Sequence, residues 1–219
     1  MKERGMIFNG EMVRAILDGR KTQTRRIMKP QPKPSKSRPG DFWFSSKKLE
    51  SMVHVSDLAP GNSPIADYHL FIQEHCCPFG AVGDRIWVRE TFSPVDDTQY
   101  GGEKWVDYRA TPKFEASHPA GWDCAPNDAE ALKWRPSIHM PRWASRILLE
   151  ITNVRVERLK SISDGDAIRE GCSTTDMKSG DCVADVFARL WASIYGSDSW
   201  KTNPWVWVIE FKRVEGGAA

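Results

Sequence analysis

Apolar residues recur at helical spacing in two stretches of the chain. The first is residues 9–19, where Asn9 can cap a helix and Gly19 can end it. The second is residues 181–196, which are apolar along one face. Residues 163–171 are indicated as a short helix by its ends, with Ser163 as the cap and Gly171 as the terminator. We therefore predict three helices, one near the start of the chain and two near its end.

Other stretches alternate between apolar and polar residues, which is typical of strands. In residues 83–92, Ile86, Val88 and Phe92 share one face with Glu90, and residues 203–214 form the last alternating stretch. Residues 144–159 alternate as well, but the phase slips at Thr152-Asn153, which indicates a bulge or a tight turn in a long strand. Residues 20–27, just after the first helix, are predicted to be an irregular extended stretch.

Two long stretches have weak periodicity and are predicted to be insertions, at about residues 30–79 and 93–140. The first begins with a basic, proline-rich segment, residues 29–41, which favours a solvated loop. With few helices to cover a parallel sheet, the element order predicts an α+β fold. We expect one domain over residues 1–219, a small mostly antiparallel β-barrel with flanking helices and two long insertions.

The composition is that of an ordinary globular protein and excludes several classes. The chain has 219 residues, 40% of them apolar and 27% charged, and a net charge of +2. This charge is too small to indicate nucleic-acid binding by the whole molecule, so such binding must come from local clusters. No apolar run is long enough for a membrane span. Five scattered cysteines without a CxxC pair favour a reducing cytoplasm over a zinc site.

The most basic segment is residues 17–30, LDGRKTQTRRIMKP. Three interpretations are open: a solvated surface, a site for phosphate or another anion, and a catalytic loop in which a lysine activates a hydroxyl. In a regular strand Thr24 lies on the face opposite Lys21, so the two side chains converge only if the chain bends between them.

Two glutamates are further candidates. Glu90 lies on the apolar face of the strand at residues 83–92, so its carboxylate must be paired or functional, because an unpaired buried charge is costly. Glu170 ends the helix at residues 163–171, and its position alone indicates only an exposed helix end. No motif indicates a cofactor or a metal ion, and the five histidines are not at metal-ligand spacing.

Several segments together resemble the ASCH domain of the PUA-like superfamily, in its long form associated with phages and prophages. ILDGRKTQTRR resembles the family's helix ending in Gly followed by Lys-Thr-x-Thr-x-Arg, and GDRIWVRETF resembles its next strand. The match continues in SRILLEITNVRVERL, ISDGDAIREG and NPWVWVIEF. It covers blocks of the chain and leaves the two insertions unexplained.

The resemblance implies a protein that acts on RNA or modified nucleosides in the cytoplasm of a bacterial host. One branch of the family is a set of amidohydrolases that deacylate N4-acetylcytidine, and its catalytic residues fall here on Lys21, Thr24 and Glu170. The predicted substrate-binding residues are Arg20, Thr22, Arg26, Trp87, Arg89 and Glu90.

Two alternatives to the enzyme stay open. The protein can be a non-catalytic module that binds single-stranded nucleic acid, RNA rather than DNA, with cations on phosphates and tryptophans stacked on bases. It can also be a phage accessory protein in which the domain is an interaction scaffold. The sequence leaves the oligomeric state open.

Overall fold

The structure is a computed structural model that describes residues 1–59, 68–96, 98, 102–113 and 133–214. His118 and Cys124, two of the residues considered above, lie outside these ranges. The α-helices of the described residues are Gly10–Leu17 (α1), Tyr68–Cys76 (α2), Asp164–Arg169 (α3), Val183–Tyr195 (α4) and Ser197–Lys201 (α5). The strands are Glu3–Ile7 (β1), Gln23–Ile27 (β2), Lys33–Pro34 (β3), Phe42–Ser46 (β4), Ser51–His54 (β5), Arg85–Arg89 (β6), Phe92–Asp96 (β7), Lys104–Tyr108 (β8), Leu148–Arg158 (β9) and Trp205–Arg213 (β10).

The chain divides into two compact units, each of which draws on separated segments. The first unit comprises Met1–Lys2, Gly19–Arg85 and Glu150–Lys212. The second unit comprises Glu3–Asp18, Ile86–Leu149 and Arg213–Ala219. The single-domain organisation stays a prediction.

In the first unit, β9, β10 and β2 are neighbours in that order. Strand β10 pairs antiparallel with β2, and the register places Val208 opposite Arg25 and Ile209 opposite Thr24. Because directly opposite residues share a face of the sheet, Arg25 lies on the same face as Val208. That face packs against α3 and α4 in an apolar core that includes Val208 and Phe187. The residues of the first insertion add a three-stranded sheet in the order β3-β4-β5, and α2.

In the second unit, β1 and β6 are neighbours, and β7 pairs antiparallel with β8. A small core of Phe92, Met140 and Ala144 packs beside this hairpin, with Val106 and Tyr108 against it. Helix α1 begins as predicted, because the Asn9 side chain accepts a hydrogen bond from the Met12 N–H at 2.8 Å.

The α+β class and the mostly antiparallel sheets are as predicted. Among the described residues no closed barrel is found, since β2 has only β10 beside it and β1 has only β6. The three predicted helices are present as α1, α3 and α4, and the predicted strands as β2, β6, β9 and β10. The insertions are more ordered than the sequence suggested, because they contain β3, β4, β5, α2, β8 and most of β7.

Candidate functional site

The basic segment after α1 contacts helix α3 and the residue that ends it. Lys21 is 2% exposed, and its ammonium group lies 2.7 Å from the Glu170 carboxylate. The same ammonium group donates to the Glu170 main-chain carbonyl, also at 2.7 Å. The structure therefore brings together two of the three residues that the resemblance assigns to catalysis.

Glu170 has a second cationic partner. Arg25 donates to its other carboxylate oxygen at 3.2 Å, and reaches Asp166 at 3.2 Å and Glu157 at 3.1 Å. Both oxygens of the Glu170 carboxylate therefore accept a hydrogen bond from a buried cation. The role of Arg25 was not predicted, although the alternation of the strand already placed it on the same face as Lys21.

These contacts belong to a balanced group of charges, which we call the β2–α3 ion network. Its eight members are Lys21, Arg25, Arg155, Arg169, Glu157, Asp166, Glu170 and Glu210. Four are cations and four are anions, so the network carries no net charge. Its buried centre is Lys21, Arg25 and Glu170, and removal of one of these is costly because the remaining charge loses a partner.

Thr24 lies on the opposite face of β2. Its partner across the strand pair is Ile209, whereas Arg25 is opposite Val208 on the face of α3 and α4. Gln23 confirms the orientation of the helix-facing side, because its amide donates to the Asp166 carbonyl at 3.0 Å. The structure thus pairs Lys21 with Glu170 and places the Thr24 hydroxyl on the other side of the strand.

Burial determines the protonation behaviour at this site. Burial lowers the pKa of Lys21, and the adjacent Glu170 carboxylate offsets part of that effect. Burial alone would raise the pKa of Asp166, but the hydrogen bond from Arg169 and the nearby guanidinium groups hold it at about 2. Burial, reinforced by the Glu170 charge, raises the pKa of Cys172 to about 11. The Cys172 thiol is therefore protonated at neutral pH and is a poor nucleophile.

The other predicted residues of the first unit surround this pair. Arg20 is exposed and donates to the Gly171 carbonyl at 2.9 Å. Thr22 is held by its main chain, which donates to the Arg169 carbonyl and accepts from the Phe211 N–H. Arg26 is half-buried opposite Trp207, and its charge contributes to the lowered pKa of Lys21.

The second unit contains a separate polar site around Glu90. Glu90 is 1% exposed, and both of its carboxylate oxygens accept hydrogen bonds from Arg146, at 2.9 and 3.0 Å. Arg146 also donates to Thr111 at 2.8 Å, and its guanidinium carbon lies 3.9 Å from the centroid of the Tyr108 ring. Glu90 was expected to be paired or functional; the structure shows it paired, and the geometry fixes the orientation of its carboxylate.

Glu90 lines a cleft of about 460 Å³, which we call the Glu90 cleft. The lining residues are Asn9, Gly10, Glu11, Arg14, Glu90, Thr91, Arg109 and Ala110. Arg14 is held at the wall by a hydrogen bond to the Ala110 carbonyl at 3.1 Å, and Arg109 is exposed. The cleft therefore combines two guanidinium groups with a buried carboxylate whose position is fixed, and the exposed Glu11 adds a second carboxylate at its wall.

Trp87 and Arg89, which were predicted to bind substrate, are not among the residues that line this cleft. The Arg89 guanidinium stacks 5.3 Å from the Trp87 ring and donates to the Ser137 carbonyl at 3.2 Å. It also donates to the Ile138 carbonyl. In the structure Arg89 therefore fixes the segment at residues 137–138, with its guanidinium group against Trp87.

No protein-family model, curated protein or solved structure matches this chain. The ASCH assignment accordingly stays a prediction from the sequence. Within the described ranges, no group of three or more His, Cys, Asp or Glu side chains is placed to hold a metal ion. No helix of the described chain is long and apolar enough to cross a membrane.

Three residues of the Glu90 site were missed at the level of sequence: Arg14, Arg109 and Arg146. Arg14 is typical of the polar face of an amphipathic helix, and Arg109 lies in a stretch predicted to be irregular. Arg146 lies 56 positions from Glu90 along the chain, so only the fold brings the two together. The available signal was Glu90 itself, because a carboxylate on an apolar face requires a cationic partner.

Proposed function

We propose that the protein binds a nucleotide, alone or within single-stranded RNA, in the Glu90 cleft. The observation that carries the proposal is the pairing of a fixed, buried carboxylate with two guanidinium groups in one cleft of about 460 Å³. A volume of this size is in the range of small-molecule sites.

The chemistry of the lining residues matches the two parts of a nucleotide. A carboxylate accepts hydrogen bonds from the exocyclic amino group of cytosine, and arginines bind phosphate oxygens with parallel N–H donors. Arg146 engages both oxygens of Glu90 from one side, so only their remaining lone pairs can serve a ligand. Arg14 and Arg109 would hold the phosphate.

The proposal includes the family and the cellular setting. We assign the chain to the ASCH branch of the PUA-like proteins, with their small β-barrel, on the residues of the GRKTQTRR and WVRETF segments. A reducing bacterial cytoplasm is supported by Cys76, Cys172 and Cys182, which are free thiols.

Calorimetric titration with cytidine 5′-monophosphate tests nucleotide binding. We expect binding that weakens about tenfold in Arg109→Gln, because one charge-assisted hydrogen bond is removed. Uridine 5′-monophosphate, which lacks the amino group, should bind at least about fivefold more weakly than the cytidine nucleotide. Arg213→Gln removes the same charge from an exposed position outside the cleft and should leave the affinity unchanged.

Equal affinities for all three proteins would refute the cleft as the binding site. If neither nucleotides nor single strands raise the melting temperature, the chain binds no such ligand in its folded state. The interaction scaffold of a phage accessory protein would then be the better explanation.

The Lys21–Glu170 contact favours a second candidate, the amidohydrolase. That reaction requires the neutral form of the pair, with the shared proton on Glu170 and Lys21 as an uncharged amine. The Thr24 hydroxyl attacks the acyl carbonyl of an N4-acetylated cytosine and gives its proton to the Lys21 amine. The acyl group passes to Thr24 while Glu170 delivers a proton to the leaving amine, and water then releases acetate. The reaction requires Thr24 to reach the face of β2 on which Lys21 and Glu170 lie. The geometry therefore supports it less well than binding.

Thr24→Val separates this candidate from binding, since it removes the hydroxyl and leaves the Lys21–Glu170 pair in place. If the protein is the amidohydrolase, deacetylation of N4-acetylcytidine should fall by at least about a hundredfold, as expected when a nucleophile is removed. Acetate release by the wild type is the positive control. Wild-type protein that releases no acetate, or a variant as active as the wild type, excludes Thr24 catalysis.

A further inference from the structure

A second cleft opens in the second unit between strand β7 and residues 133–136. Its volume is about 320 Å³, and we call it the Trp134 cleft. It is lined by Ser93, Pro94, Lys133, Trp134, Arg135 and Pro136. These residues belong to the insertion that the ASCH resemblance does not explain, and they are distinct from those that line the Glu90 cleft.

A proline explains why the two segments separate here. Phe92 and Arg135 form a bridge with both main-chain hydrogen bonds, at 3.2 and 2.7 Å. The next hydrogen-bonded pair of this antiparallel ladder would join Pro94 to Lys133. Pro94 has no N–H to donate, so the ladder cannot continue in that register and the segments diverge. The backbone of each of the two diverging segments thus forms one side of the cleft.

The side chains of this cleft have a distinctive chemistry. Trp134 provides a flat aromatic surface that is half-buried, and the rings of Pro94 and Pro136 add apolar surface. Lys133 and Arg135 are exposed cations, and none of the described residues that line the cleft is acidic. Aromatic surface flanked by cations is the combination that binds single-stranded nucleic acid, with bases stacked on the rings and phosphates on the charges.

The chain connects this cleft directly with the first. Glu90 and Thr91 line the Glu90 cleft, and Ser93 and Pro94 line the Trp134 cleft. Four residues of extended chain span at most about 14 Å, so one short strand of nucleic acid is long enough to reach from Glu90 to Pro94.

We propose that the Trp134 cleft is a stacking subsite for a single-stranded nucleic acid whose neighbouring nucleotide occupies the Glu90 cleft. Only the placement of the neighbouring nucleotide in the Glu90 cleft rests on the proposed function. The stacking chemistry of the Trp134 cleft does not depend on it. It assigns a role to the second insertion: the insertion extends recognition from one nucleotide to a strand.

Fluorescence anisotropy with a short labelled oligocytidylate tests the subsite in the full-length protein. Trp134→Ala should weaken binding between about 5-fold and about 150-fold, the range for removing one base stacked on an aromatic ring. Trp143→Ala is the matched control, because Trp143 is 68% exposed in the same unit and does not line the cleft. It should bind the oligonucleotide like the wild type.

A double variant tests the phosphate contacts without an effect on packing, since Lys133 and Arg135 are both exposed. Lys133→Gln with Arg135→Gln should reduce the slope of log affinity against log salt concentration by about 1.4, or about 0.7 for each phosphate that is no longer neutralised. An unchanged slope overturns the proposal. The proposal is also overturned if Trp134→Ala and Trp143→Ala bind the oligonucleotide with equal affinity. It is overturned as well if an acidic peptide of the same charge displaces the labelled oligonucleotide as effectively as the unlabelled oligonucleotide does.

Binding of cytidine 5′-monophosphate distinguishes this inference from the proposed function. Trp134→Ala should bind the mononucleotide as the wild type does, because that ligand occupies the Glu90 cleft alone. If the mononucleotide binds but the oligonucleotide is insensitive to Trp134→Ala, the subsite fails and the proposed function stands. If the mononucleotide does not bind but Trp134→Ala weakens the oligonucleotide, the Glu90 cleft fails and stacking stands.

Discussion

At the scale of single residues, the Lys21–Glu170 pair is the most informative feature of the chain. Both side chains are 2% exposed or less, so neither can exchange its partner for water. A buried ion pair is weak evidence for net stabilisation, but removing one member leaves an uncompensated charge. Substitution of one member should therefore lower the free energy of unfolding more than substitution of both members.

We expect Lys21→Met to lower the free energy of unfolding by about 3–5 kcal/mol, because Glu170 then keeps Arg25 as its only cationic partner in the network. The double variant Lys21→Met/Glu170→Leu should be close to the wild type. Urea denaturation monitored by tryptophan fluorescence measures both, with Lys160→Met as an exposed control in the same unit. A double variant as unstable as the single one would contradict the account.

At the scale of elements, helix α3 is held in place by cations of the β2–α3 ion network. Its first turn contains Asp166, which receives hydrogen bonds from Arg25, Arg155 and Arg169. Ser163 caps the helix by accepting from the Asp166 N–H at 3.1 Å. One short helix thus depends on cations that come from two strands and from its own last turn.

This arrangement predicts a specific dependence of stability on pH. The pKa of Asp166 is lowered from 3.8 to about 2 on folding, so the ionised carboxylate stabilises the folded state above pH 3.8. That contribution, about 2 kcal/mol, disappears as the pH falls from about 4 towards about 2. Asp166→Asn should therefore be less stable than the wild type at neutral pH, and the difference should shrink in acid.

Urea titrations at several pH values between neutrality and acid measure this difference. Asp164→Asn is the matched control, because Asp164 is exposed in the same first turn and accepts a hydrogen bond from the Ala184 N–H. If the difference in the free energy of unfolding between Asp166→Asn and the wild type is constant across this pH range, protonation of Asp166 is not linked to folding.

At the scale of the whole molecule, sequence periodicity predicted the elements that are long and regularly patterned. Helix α4 and strands β9 and β10 have apolar positions over nine or more residues, and each was identified. The hairpin of β4 and β5 was missed because its two strands, FWFSS and SMVH, do not alternate between apolar and polar residues. Helix α2 was missed because it has no one-sided apolar face, and Phe71 is 51% exposed.

The candidate sites were predictable to the extent that their contacts are local or imposed by burial. Strand alternation separates Thr24 from Lys21, as the structure has it, and burial requires that Glu90 be paired. The identity of the partner could not be read from the chain, since Arg146 and Glu90 are distant in sequence. The Trp134 cleft could not be predicted either, because it depends on where a ladder between remote segments stops.

The balanced charges of the β2–α3 ion network have a consequence for behaviour on heating. The free-energy cost of removing ions from water falls as temperature rises, whereas the stabilisation from burying apolar surface levels off. The Lys21→Met/Glu170→Leu protein should therefore match the wild type at room temperature and melt earlier in a calorimeter. If the two melt together, the network gives no thermal advantage, and its value to the molecule lies in fixing where α3 docks.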